Sequence, residues 1–282
     1  MNARRNGEGD AGERFLAALA DPARPPLPFR TAIVVAHPDD ETIGCGAQLP
    51  RFADITIIHV TDGAPPNGAD AAALGFASPA DYAAARRGEL EAAMAIAGLA
   101  PEQLATQGWS DQESSLHLAE IALDLSRRHD GFEIVLTHAF EGGHPDHDST
   151  ALAVHAACAL PGRRTPAPPI IEMPFYRLGP QDDWAVQAFV EEPGHPGIAI
   201  MLSQDESKLK QAMFAVFVSQ GHVLARFALE REIFRRAPRY DFRQLPNDGA
   251  LLYERKQWGM SGARWVELAR AALAELGLGA AR

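Results

Sequence analysis

The chain has 282 residues, 46% of them hydrophobic and 22% charged, which is the balance of a globular chain long enough for one large domain or two small ones. A formal net charge of −11 argues against a nucleic-acid partner, because a phosphate backbone calls for an excess of lysine and arginine on at least one face. Two cysteines, Cys45 and Cys158, make no disulfide framework. The charged start "MNARRNGEGDAGERF" lacks a signal peptide's apolar centre, and no run reaches the ~18 apolar residues of a membrane span, so the expectation is a cytoplasmic protein.

Residues 1–30 read as an extension, polar and then proline-rich ("DPARPPLPFR"), with room for a short helix at 12–20. From Thr31 strands and helices alternate. "TAIVVA" (31–36), "ITIIHVT" (55–61) and "FEIVLTH" (132–138) are apolar runs of the length expected for strands buried on both faces, and "LATQGW" (104–109) is a weaker one. Between them lie a helix over 78–98, opened by Ser78-Pro79, and one over 114–129, closed by Arg127, Arg128 and His129. A helix over 147–160 follows, stopped by Pro161-Gly162. This alternation predicts an α/β, Rossmann-like, mostly parallel sheet with helices on both faces.

Beyond Pro161 the runs shorten. Strands are expected at 169–176, 184–192 and 197–202, with "QAFVE" alternating as an antiparallel strand does, so a smaller β-rich C-terminal elaboration is expected. Helices are expected at 203–219 and 222–236, a late strand at 249–256 and a final helix at 262–277. The arginines from Arg226 to Arg243 read as a solvated helix face. With no repeat and no linker, residues 31–282 are expected to form a single domain, 225–282 being its C-terminal extension.

Two short boxes carry the chemistry. "HPDDE" (His37–Glu41) follows the first strand, and "GGHPDHD" (Gly142–Asp148) follows the strong strand at 132–138. Both therefore lie at carboxyl ends of strands, where open α/β sheets bind ligands. Four ionisable groups at a strand end are costly to bury unpaired, and a cation would resolve that cost. His37 and Asp40, three apart, share one side of a first helical turn, as do His144 and His147. His37, Asp40 and His147 supply three ligands and leave a fourth position open, as catalytic zinc requires; iron, cobalt or manganese fit the same donors. Bound zinc lowers the pKa of its water to about 7. Asp39 is then the natural general base, His144 an oxyanion stabiliser or proton donor, and Asp146 the carboxylate that orients His144.

"AHPDDETIGCG" and "GHPDHD" resemble the two signature motifs of the LmbE-like, or GlcNAc-phosphatidylinositol de-N-acetylase (PIG-L), superfamily of zinc-dependent amide hydrolases, with the likeness running from about Thr31 to about Gln220. The resemblance implies a Rossmann-like fold, one zinc per chain, and removal of an acyl group, usually acetyl, from an amino-sugar conjugate such as an N-acetylglucosamine derivative. By the same likeness His37, Asp40 and His147 match the metal ligands, Asp39 the base, and His144 with Asp146 the histidine and its carboxylate partner. "RRGELEAAM" is similar to an arginine-bearing helix, which makes Arg86 a substrate contact. Asp111 in "WSDQE" matches an acidic residue near the sugar, and "KQAMFAVFVSQ" a helix ending in Ser-Gln. The family's aromatic residue before the second box has no counterpart in "AFEGG", and Phe217 stands where many members carry His or Tyr.

Other candidates read as structural: His138 as a hydrogen-bonded core histidine, His59 as a strand residue, Cys45 as helix packing, and Trp109 and Trp184 as core aromatics that could instead stack on a sugar. The expected partner is a small N-acetylated sugar conjugate, with self-association through 225–282 left open. The competing functions are a metal hydrolase of another bond, such as a phosphoester, and a non-catalytic binding protein on the same fold.

Overall fold

Strand β1 (Leu27–Val35) lies inside a sheet because both of its faces are apolar. In the computed structural model, which describes residues 10–128, 131–162 and 165–279, Ile33 and Val35 enter one hydrophobic cluster while Ala32 and Val34 enter the other. Strands β2 (Phe52–Thr61) and β4 (Ile134–His138) flank β1 in parallel, with Ile33 paired to Ile57 on one side and Leu136 on the other. They divide in the same way, Ile57 and Leu136 facing the first cluster, Ile58 and Val135 the second. Strand β3 (Leu104–Trp109) continues the parallel set beyond β2, and β5 (Ile170–Met173) beyond β4.

Helices close both faces. Helices α1 (Ala11–Ala20), α4 (Pro79–Ile96) and α7 (Gln204–Val216) bury Phe15, Leu90 and Met213 in the first cluster. On the other side α5 (Leu118–Arg128), α6 (Pro145–Ala159) and α10 (Gly262–Glu275) bury Leu125, Leu152 and Trp265 in the second. The expected α/β architecture is therefore the observed one. The helix at 12–20 is α1, and it carries Phe15 and Leu19 fully buried although it comes from the stretch read as an extension. His129 lies outside the described residues.

The last third departs from expectation in four places. Residues 169–176 split at Pro174, which has no N–H for the ladder: β5 extends the parallel sheet, and β6 (Tyr176–Leu178) starts a hairpin with β7 (Trp184–Val186). The strand expected at 184–192 is only β7. The helix expected at 222–236 is instead α8 (Gly221–Leu224) followed by strand β9 (Arg231–Arg236), antiparallel to both β5 and β8 (Ile198–Met201). Charges hid this strand's period of two. Glu232 and Arg235 are buried, one paired to Lys210 and the other to Glu172, so the arginine run is not a solvated helix face. The strand expected at 249–256 is a turn at Asn247–Gly249 and helix α9 (Leu252–Arg255), after positive φ at Asn247, Asp248 and Gly249 breaks any extended run.

The sheet order is β3-β2-β1-β4-β5-β9-β8. Chain direction out of β1 reverses between β2 and β4, so the carboxyl ends of β1 and β4 frame the topological switch point, where such sheets bind ligands. Helix α2 (Asp40–Cys45) sits there, held from beneath. Lys210, fully buried on α7, donates to the Ile43 carbonyl at 2.7 Å and to Glu232 Oε1 at 2.8 Å, and the same oxygen accepts the Ala47 N–H. Removing one partner of such a pair leaves the other charge buried alone. Lys210→Met is therefore expected to lower unfolding stability by about 3–5 kcal/mol, and Lys210→Met with Glu232→Leu to recover most of it, as read from urea denaturation midpoints.

Candidate metal centre and catalytic cleft

The first box leaves β1 in a tight turn. The Ala36 N–H donates to His138 Nε2 at 2.9 Å, and the His37 N–H donates to Asp40 Oδ2 at 2.8 Å, folding Asp40 back toward the His37 ring. Asp39 occupies the N-cap of α2 with φ 131° and ψ −27°, a conformation costing of order 1–3 kcal/mol that persists only where the surroundings enforce it. Glu41 does so from one side, accepting the Asp39 N–H at 3.1 Å and bonding His59 Nε2 at 3.0 Å. Arg86, on α4, does so from the other, donating to Pro38 O at 2.6 Å and to Asp39 Oδ2 at 2.9 Å.

The second box joins β4 to α6, whose helix begins at Pro145, earlier than the sequence suggests. His144 is its N-cap residue and accepts the Asp146 N–H on Nδ1 at 3.2 Å. Asp148 closes the preceding loop by accepting the Glu141 and Gly142 N–H groups. Gly143 passes directly over the Tyr176 carbonyl, so a Cβ there would overlap backbone. Gly143→Ala is expected to cost about 1–3 kcal/mol, measured by thermal denaturation, because the loop and β6 must separate.

Together the boxes bring His37, Asp40 and His147 to one point. His37 Nδ1 lies 3.3 Å from Asp40 Oδ2, and His147 Nε2 lies 3.5 Å from Asp40 Oδ1. One donor atom from each of the three lies within 4.8 Å of the others. Donors about 2.0–2.1 Å from a tetrahedral zinc ion are themselves about 3.3–3.4 Å apart, so these spacings suit one cation. His147 supplies a second observation: it is 1% exposed, yet neither ring nitrogen has a hydrogen-bond partner among the described residues. A buried imidazole with no partner is costly, and a metal ion satisfies it. Against its burial cost, His147 and His138 draw the Asp40 carboxyl well below the usual range, so it stands ionised. His138 stacks on His147 at 4.1 Å, but its Nε2 is already taken by the Ala36 N–H, so it packs beside the centre.

A second group, His37, Asp111, His144 and Asp146, lies alongside. His37 Nε2 meets Asp111 Oδ1 at 3.1 Å and Asp146 Oδ2 at 3.3 Å, leaving Nδ1 for the first group. This is how a carboxylate fixes the tautomer of a metal-binding histidine. The Asp146 carboxylate therefore lies on His37, not on His144 as expected, and is itself held by the Gln112 N–H at 2.6 Å and Ser114 Oγ at 2.5 Å. Among the described residues His144 keeps the backbone hydrogen bond on Nδ1, and Asp111 Oδ1 lies 4.0 Å from its Nε2. Burial, reinforced by His37, pushes the His144 pKa well down, so the ring is neutral with its proton on Nε2. Burial pushes the Asp39 carboxyl up; Arg86 opposes this and Asp40 adds to it. Arg86, expected as a substrate contact, spends its Nη donors on Gly63 O, Pro38 O and Asp39, and so acts on Asp39 directly.

All eight sequence-chosen residues except Asp146 line one cavity of about 500 Å³. The sequence did not mark Tyr82, Tyr176, Arg226 or Trp258, which also line it. Gln220, from the Ser-Gln pair, reaches it while donating to Tyr82 Oη. Trp184 faces it too, whereas Trp109 stacks on His117 at 3.9 Å.

Residues 32–158 match the family model described as GlcNAc-PI de-N-acetylase (PIG-L). The matched stretch holds both boxes, Arg86 and Asp111. Two solved structures share the fold. One is the A40926 pseudoaglycone deacetylase Dbv21, at 20% identity and a TM-score of 0.57, over 75% of this chain and 98% of that one. The other is a deacetylase from the teicoplanin biosynthesis pathway, at 19% identity and a TM-score of 0.56, over 74% of this chain and 99% of that one. A search of curated proteins finds no match. No helix among the described residues is long and apolar enough to cross a membrane.

Proposed function

We propose that this protein is a zinc-dependent N-deacetylase that hydrolyses the acetamide of an amino-sugar conjugate. The observation that carries this reading is the buried, unpartnered His147 at tetrahedral-edge spacing from Asp40, with His37 completing the set beside a carboxylate and a neutral imidazole. The family description of residues 32–158 and the deacetylases that share the fold support an amide as the bond broken.

His37, Asp40 and His147 would hold the ion, which supplies an acidified water and a Lewis acid for the carbonyl. The chain does the rest. Asp39 Oδ2 is fixed by Arg86, while Oδ1 has no bond within the described residues. The carboxylate is thus oriented to take a proton from water without being fully neutralised. Burial that raises its affinity for protons suits a general base working near neutral pH. His144, uncharged and with Nε2–H in the cavity, donates to the carbonyl oxygen as negative charge develops. Asp39 then holds the proton that the leaving amine needs, so the cycle closes without another acid.

The test is release of free amine and acetate from a panel of N-acetylglucosaminides by zinc-loaded protein, with 4-nitrophenyl phosphate as the competing bond. Amine release abolished by chelator and restored by zinc is expected. Phosphate release without amine release would overturn the reading in favour of a phosphoesterase.

A further inference from the structure

The reacting groups make up only part of the cavity lining. Another part comes from segments beyond the PIG-L match: Tyr176 on β6, Trp184 on β7, Trp258 after α9, and Arg226 after α8. Trp184 and Trp258 meet at 65° with ring centroids 6.1 Å apart, a corner rather than a stack. Tyr176 packs behind both, at 5.0 and 6.4 Å, and is buried, while the two indoles are half-buried and border the cavity. Trp258 also touches His144, at 5.3 Å, and Tyr176 touches His147, at 5.2 Å, so the corner adjoins the reacting groups directly.

Arg226, an exposed residue, places its guanidinium carbon over the Trp184 ring, 4.5 Å from the centroid. A cation–π contact of this kind holds the guanidinium against the indole while its N–H groups can still reach an anion. No carboxylate pairs with it among the described residues, although Asp70 and Asp111 also line the cavity. An unpaired guanidinium held against an indole in a chain of net charge −11 is suited to an oxyanion, and the apolar corner beside it to a flat ring. A volume of about 500 Å³ also exceeds what an acetamide alone needs and falls among pockets that take drug-sized ligands.

Building on the deacetylase reading, we propose that the Trp184–Trp258–Arg226 corner is a subsite for the non-reacting end of the substrate, and that this end is a planar aromatic group bearing an oxyanion. The sugar then lies between the corner and the metal centre, with its N-acetyl group inward.

Phenyl, 4-carboxyphenyl and 4-phosphonophenyl N-acetylglucosaminides test this by comparison of KM. KM for one or both acidic glycosides is expected to be about tenfold below that of the phenyl glycoside, the scale of one charge-assisted hydrogen bond. The better of the two tells carboxylate from phosphonate. In Arg226→Gln the ratio of neutral to acidic KM should fall to near one, and Arg226→Lys should restore part of it. Equal KM values in the wild type, or a preference that survives in Arg226→Gln, would overturn the subsite. If no glycoside releases amine, the deacetylase reading fails, and calorimetric binding of the corresponding glucosaminides decides the subsite separately. A tenfold preference for the acidic one that is lost in Arg226→Gln upholds it, and no preference overturns it.

Discussion

Asp39→Asn protein is expected to hold about one zinc per chain and to turn over roughly 10²–10⁴-fold more slowly than wild type. The amide is the informative replacement. Its oxygen can still accept from Arg86, so the N-cap turn of α2, pinned also by Glu41 on the Asp39 N–H, keeps its shape. The carboxylate's capacity to take a proton is what disappears. A loss in kcat with unchanged KM and full metal content would place Asp39 in the chemical step. Near-normal turnover by the fully loaded variant would remove it from that role. Loss of metal together with activity would mean that Asp39 supports the centre rather than the reaction.

The two boxes were legible because they obey local rules. An apolar run followed by His-Pro-Asp is visible in twenty residues, and its place at a strand's carboxyl end follows from the α/β alternation alone. The spacing of three in each box put His37 with Asp40, and His144 with His147, before any coordinate was known. What remained hidden depends on contacts distant in sequence. Asp146 is one residue beyond Pro145, and nothing local says that its carboxylate crosses to His37 and Ser114. Arg86 was assigned as a substrate contact by the resemblance of its helix, and nothing in "RRGELEAAM" shows that Pro38, Asp39 and Gly63 will surround it. Strand β9 was read as helix because Glu232 and Arg235 look like surface residues until Lys210 and Glu172 are placed opposite them. The aromatic corner was invisible for the same reason: Trp184 and Trp258 are 6.1 Å apart in space, and no short motif contains both.

His147→Ala should abolish stable zinc binding, and this is the largest effect expected of any single change. Wild-type protein dialysed against zinc and then against metal-free buffer should retain about one ion per chain, and the variant less than about a tenth of that, since two ligands replace three around a centre that needs them all. Thermal unfolding gives an independent reading. An ion that binds only the folded chain raises Tm in proportion to its occupancy, so added zinc should shift the wild-type transition and leave the variant's in place. The buried imidazole has no hydrogen-bond partner to lose among the described residues, so the substitution removes a ligand without breaking a network, and the apo variant should fold. His138→Gln is the comparison that fixes the ligand's identity. His138 stands 3.5 Å from Asp40 and stacks on His147, so it is the histidine best placed to be mistaken for the ligand. Its Nε2 is the acceptor for the Ala36 N–H, a bond that a glutamine oxygen can inherit, and zinc content should therefore stay at about one. Zinc retained by His147→Ala and lost by His138→Gln would reverse the assignment and move the centre one ring deeper into the sheet.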